Sequence, residues 1–129
     1  MLKEKLIGAQ VLAVTEDSIT VSIDGEEFVL EISTYQGGCC GYAETEIKPL
    51  VDILKVSQEN TSSNPVITDI KTITERGNYS DKIEITFFGE SQELFEIIGE
   101  AGSGSGWGYG ATASIVCDKL QLDEVIVEY

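Results

Sequence analysis

Trp107 and Tyr109 stand in a segment where every second residue from 102 to 110 is glycine. In an extended chain, side chains alternate between faces. One face of this segment is then bare backbone, and the other carries Ser103, Ser105, Trp107 and Tyr109. Large aromatics set among small residues give rigid contact area at low entropic cost, which is what binding surfaces use. Tyr42, which follows Gly41, extends the set. Its chemistry would be stacking against a sugar ring or a nucleotide-like base; the alternative is that these rings close the end of a β-core. Glu44 and Glu46 alternate on a predicted strand, so their carboxylates share one face. Paired carboxylates can hydrolyse glycosides. In a chain this acidic, such pairs also arise without catalysis and mark solvated, charged faces.

Other chemistry is scarce. There is no histidine, which removes imidazole acid–base catalysis, Ser-His-Asp triads and the commonest zinc ligand. Cys39, Cys40 and Cys117 are the only thiols. Adjacent cysteines strain a mutual disulfide, the Cys-x₂₋₄-Cys chelate spacing is missing, and no basic neighbour lowers a thiol pKa. They read as small buried or partly buried thiols. No Lys-Ser/Thr follows a glycine run as in a phosphate-binding loop, and the dinucleotide Gly-x-Gly-x-x-Gly spacing is absent. No catalytic residue, metal or cofactor is assigned, and the chain reads as non-enzymatic.

Charge is the outlier of the composition. Of 129 residues, 23 are acidic and 8 basic, for a net charge of −15, and Arg76 is the only arginine. Phosphate backbones are held by clustered Lys and Arg, so this balance argues against direct binding of nucleic acid or of an anionic membrane. It favours a protein partner with a basic surface. The odd cysteine count argues against a secreted disulfide framework. Residues 1–8 lack the apolar core of a signal peptide, and no apolar run approaches the ~20 residues of a membrane span. A cytoplasmic location is expected.

The elements that position these residues are mostly strands. Residues 6–14 read as a first strand, and residues 18–23 as a second with Ile19, Val21 and Ile23 on one face. Asp24-Gly25 is a strong hairpin signal, and the return strand places Phe28, Leu30 and Ile32 together. Residues 44–47 resume as a strand. Pro49 suits a first helical turn, and Leu50, Ile53 and Leu54 have helical spacing, which predicts a short helix near 48–54. Residues 66–74 form a further strand. Ile83, Ile85 and Phe87 alternate inward before a turn at 88–91, and residues 93–98 return. Ala111, Ala113, Ile115 and Cys117 share a face, and residues 125–127 close the chain as a terminal strand. The expectation is a mainly-β single domain, an antiparallel sandwich or open barrel of about eight or nine strands.

Two segments share this grammar, residues 8–47 and 66–117. Each runs strand, turn, alternating strand, hairpin, strand, then a glycine-rich stretch containing Gly-Tyr, and then a further strand. A unit that cannot bury its own face packs against its copy, so an internal repeat is expected, built of two similar hairpin-containing halves.

At Cys39-Cys40 and in residues 104–116 the chain resembles a family of small bacteriophage and prophage proteins of unknown function. The matching pieces are residues 8–32, the Cys-Cys doublet with Glu44-Thr45-Glu46-Ile47, and Gly106-Trp107-Gly108-Tyr109, together covering most of residues 6–118. Glycines flank the doublet here where the family tends to have acids. The resemblance implies a phage-type origin and no particular activity.

These features point to a phage-type accessory protein of the host cytoplasm that works by protein binding, as an acidic mimic occluding the basic, nucleic-acid-binding surface of a host defence protein. Two alternatives follow from other features. Trp107, Tyr109 and Tyr42 suit a small-ligand module, and the terminal strand suits a self-assembling virion protein whose copies pair through sheet edges.

Overall fold

Period-two burial decides the strands. Ile19 and Val21, Phe28 and Leu30, Ile83, Ile85 and Phe87, and Ala111, Ala113, Ile115 and Cys117 are all buried, and the residues between them face outward. The computed structural model describes residues 2–36, 42–51, 65–78, 80–90, 92–102 and 111–128. Within them lie a helix, α1 (Leu2–Leu6), and nine strands: β1 (Gln10–Val14), β2 (Ser18–Ile23), β3 (Glu26–Gln36), β4 (Tyr42–Pro49), β5 (Asp69–Arg76), β6 (Ser80–Phe88), β7 (Glu93–Gly102), β8 (Ala111–Cys117) and β9 (Leu122–Glu128). A 3₁₀ turn at Asp118–Leu120 joins the last two.

The strands form two antiparallel sheets, a five-stranded one in the order β1-β2-β3-β8-β9 and a four-stranded one in the order β4-β7-β6-β5. Neither closes into a barrel; the arrangement is a sandwich. Each half of the chain contributes a three-stranded meander to one sheet and its fourth strand to the other. β4 leaves β1–β3 to pair with β7, and β8 leaves β5–β7 to pair with β3. The expected similarity of the two halves therefore extends to their topology. The glycine-rich stretches occupy equivalent places, each linking the two sheets; residues 37–41 and 103–110 themselves lie outside the described residues.

The two sheets pack face to face through several strand pairs. β4 lies against β3 and β8, β7 against β8 and β9, and β6 against β9. Phe87 and Phe95, directly paired across β6 and β7, stack with centroids 4.3 Å apart and are both fully buried. Nearby, small residues let the sheets approach. A Cβ on Gly99 would stand 3.2 Å from Ile83 Cγ2 and 3.3 Å from Val127 Cγ1. At the β2–β3 turn, Asp24 and Gly25 both take positive φ, 52° and 83°, as a type I′ hairpin requires.

Several boundaries differ from the sequence reading. The first strand starts at Gln10 rather than at residue 6; residues 2–6 are helical because Leu2 and Leu6 bury against the end of the sandwich. That helix is tied down by Lys5 Nζ, which donates to the Leu120 carbonyl at 2.7 Å, and by the Leu2 N–H, which donates to Glu124 Oε1 at 3.3 Å. Lys48 and Pro49, expected to open a helix, end strand β4 instead; of that expected helix, residues 52–54 lie outside the described residues. β5 starts at Asp69 and runs to Arg76, later than expected, because it pairs with β6 over its full length. β7 runs on to Gly102, four residues past the expected 98, and so takes in the start of the glycine stretch.

Candidate functional site

Alternation on β4 buries Ala43 and Ile47 and turns Tyr42, Glu44, Glu46 and Lys48 outward. The structure thus brings three of the expected site residues, Tyr42, Glu44 and Glu46, onto one face of one strand. Trp107, Tyr109, Ser103 and Ser105 lie outside the described residues, as do Cys39 and Cys40. Cys117 is a buried free thiol on the inner face of β8.

Register then adds residues that the local sequence did not single out. Across β4, β7, β6 and β5, Glu44 stands opposite Glu100, then Lys82, then Glu75. One row further on, Glu46 stands opposite Ile98, then Glu84, then Ile73. In the next row, Lys48 stands opposite Glu96, then Thr86, then Lys71. The outer face of the four-stranded sheet therefore carries Glu44, Glu46, Glu75, Glu84, Glu96 and Glu100 in adjacent rows, with Lys48, Lys71 and Lys82 among them. Strands lie about 4.7–4.9 Å apart, and alternate residues about 6.6–6.8 Å apart along a strand, so the charges form a fixed array. Two apolar side chains sit within it, Ile98 at 37% and Ile73 at 65% exposure. Alternation of Glu96, Ile98 and Glu100 in the sequence was the available signal for β7's share.

Hydrogen bonding and charge order the array. Tyr42 donates its hydroxyl proton to Glu100 Oε1 at 2.6 Å. The carboxylate that accepts this proton holds the Tyr42 pKa above the ordinary tyrosine value. Glu44 and Glu100, directly opposite, repel. Partial burial pushes the Glu96 carboxyl above the usual range, and hydrogen bonding with Glu84 and that residue's negative charge add to the effect. The two carboxyls are diagonal neighbours on the same face, so one negative charge resists the other.

The other sheet is acidic in a different way. Its five strands contain no Lys or Arg, while Glu26, Glu27, Glu31, Asp123, Glu124 and Glu128 all fall on them. All the strand-borne cations, Lys48, Lys71, Arg76 and Lys82, belong to the four-stranded sheet. Among the described residues, no group of three or more Cys, Asp or Glu side chains is placed to hold a metal ion, and no helix is long and apolar enough to cross a membrane.

Compared with known protein families, curated proteins and solved structures, the chain matches none. Rows in which six carboxylates outnumber three lysines, with short apolar interruptions, are suited to contacting ammonium and guanidinium groups presented at an extended protein surface.

Proposed function

We propose that this chain is a non-enzymatic binding protein that engages a basic protein surface through the outer face of its four-stranded sheet. The observation that carries this reading is the run of adjacent carboxylate rows built by Glu44, Glu46, Glu84, Glu96 and Glu100 on β4, β6 and β7. Such a face steers a positively charged partner and excludes a negatively charged one. The phage resemblance and the net charge of −15 extend the proposal. The chain acts as a phage-type accessory protein in the host cytoplasm, occluding the nucleic-acid-binding surface of a host protein.

The two alternatives draw less support. In the aromatic platform, the Tyr42 hydroxyl is engaged by Glu100 rather than free for a ligand. Self-assembly through the terminal strand would set Asp123, Glu124 and Glu128 of one β9 against the same acids of another, which like-charge repulsion disfavours.

Capture from a bacterial lysate at low and high salt tests the proposal. A partner retained at low salt and released at high salt is expected. Recovery of salt-insensitive partners alone, or of none, would overturn it.

A further inference from the structure

β4 is an edge strand, paired with β7 alone among the described residues. Which of its main-chain groups face outward follows from one bond. The Leu50 N–H donates to the Leu94 carbonyl at 3.0 Å, and the register continues from Pro49 opposite Phe95 to Tyr42 opposite Gly102. Antiparallel pairs alternate between hydrogen-bonded and non-hydrogen-bonded. Lys48, Glu46, Glu44 and Tyr42 therefore bond to β7, whereas Ala43, Thr45, Ile47 and Pro49 direct their main-chain groups away from it. Pro49 has no N–H to direct, and its place on the outer side loses no ladder bond. Among the described residues, three N–H groups and four carbonyls along this edge have no strand partner.

The edge opens into a groove of about 620 Å³, lined on one side by Thr45, Glu46 and Lys48 and on the other by Val14, Glu16 and Asp17 from the β1–β2 turn. The other sheet edges differ. The Val11 N–H of β1 already donates to the Pro65 carbonyl, and Gln10 bridges Val66. β9 begins under α1. β5 mixes Lys71 and Arg76 with Asp69 and Glu75, and Asp69 lies 3.6 Å from Lys3 Nζ, so its charge is balanced. Three carboxylates face one ammonium in the β4 groove, so the charge selects its occupant.

We infer that the groove takes an extended, Lys- or Arg-bearing segment of a partner protein, which adds to β4 as a fifth strand of the four-stranded sheet. Main-chain bonds to Ala43, Thr45 and Ile47 hold the segment, and Glu16, Asp17 and Glu46 select its basic side chains. The inference rests on the acidic-face reading for its charge and adds to it the mode of contact.

An end-capped octapeptide of alternating Lys and Val is the probe, with amide hydrogen exchange of the intact protein read residue by residue. Exchange at Thr45 and Ile47 is expected to slow by about tenfold when the peptide is bound. A fully N-methylated counterpart keeps the charge, but its methyl groups prevent close strand approach and it cannot donate to the Ala43, Thr45 and Ile47 carbonyls, so it is expected to give no such protection. The alternating Glu-Val peptide is expected not to bind, and Glu46→Lys to weaken the Lys-Val peptide. Equal binding by the N-methylated peptide, or binding without protection at Thr45 and Ile47, would overturn the edge while leaving the acidic-face reading intact. That reading fails separately, through the salt test on the captured partner.

Discussion

Glu96 is held near Glu84 on a partly buried patch of sheet surface, and its raised pKa has a consequence for stability. Well below the ordinary glutamate range, the folded and unfolded chains both carry its proton and the site contributes nothing. As pH rises, the unfolded chain releases the proton first, so folding loses stability until the folded carboxyl ionises as well. Glu96→Gln removes this loss. The variant is expected to be more stable than the parent at about pH 7, by less than about 1 kcal/mol after solvent screening, and to lose that advantage below about pH 4. Urea titrations at the two pH values check it. Glu27→Gln, an exposed acid on the other sheet, controls for the general loss of one negative charge.

At the scale of the element, Gly99 leaves room for Ile83 beside it and for Val127 of β9 across the sandwich. A valine there must displace Ile83 and Val127, and overpacking of this kind costs about 1–3 kcal/mol. Pairing Gly99→Val with Val127→Ala is expected to cost less than the two single changes summed; strict additivity in denaturant melts would contradict the close approach. The elements also show what was legible beforehand. The Asp24-Gly25 turn and the inward rows Ile83-Ile85-Phe87 and Ala111-Ala113-Ile115-Cys117 were readable because turn chemistry and period-two burial are local. α1 was not, since five residues without a cap signal become helical through the burial of Leu2 and Leu6. Pro49 misled for a physical reason. It suits a helix start, yet it is equally tolerated on the unpaired side of an edge strand, and pairing with β7 decides between them.

At the scale of the whole molecule, the sheet order joins residues far apart in sequence. β3 pairs with β8 and β4 with β7, and no local pattern states those partners. Hence Glu44 and Glu46 were readable as a pair, and Glu96 and Glu100 as alternating residues of one strand, but that these and Glu84 lie beside Glu44 and Glu46 emerged only from the register. The exchange of fourth strands also makes each half incomplete. A fragment of residues 1–60 holds β4 without β7, and a fragment of residues 61–129 holds β8 without β3. Neither is expected to give a folded monomer alone, and an equimolar mixture is expected to regain the strand signal in circular dichroism. A folded, monomeric half would contradict the interlocked topology.

The acidic face itself is tested most directly by reversing its two edge charges. Glu44 and Glu46 face outward, and Glu44 opposes Glu100, so Glu44→Lys/Glu46→Lys relieves a like-charge contact and leaves the core untouched. The variant should fold as stably as the parent. At low salt it should lose at least about tenfold in affinity for the captured basic partner, an effect typical of close charge pairs at an interface. Unchanged affinity in a variant that folds normally would contradict the assignment of this face as the binding surface.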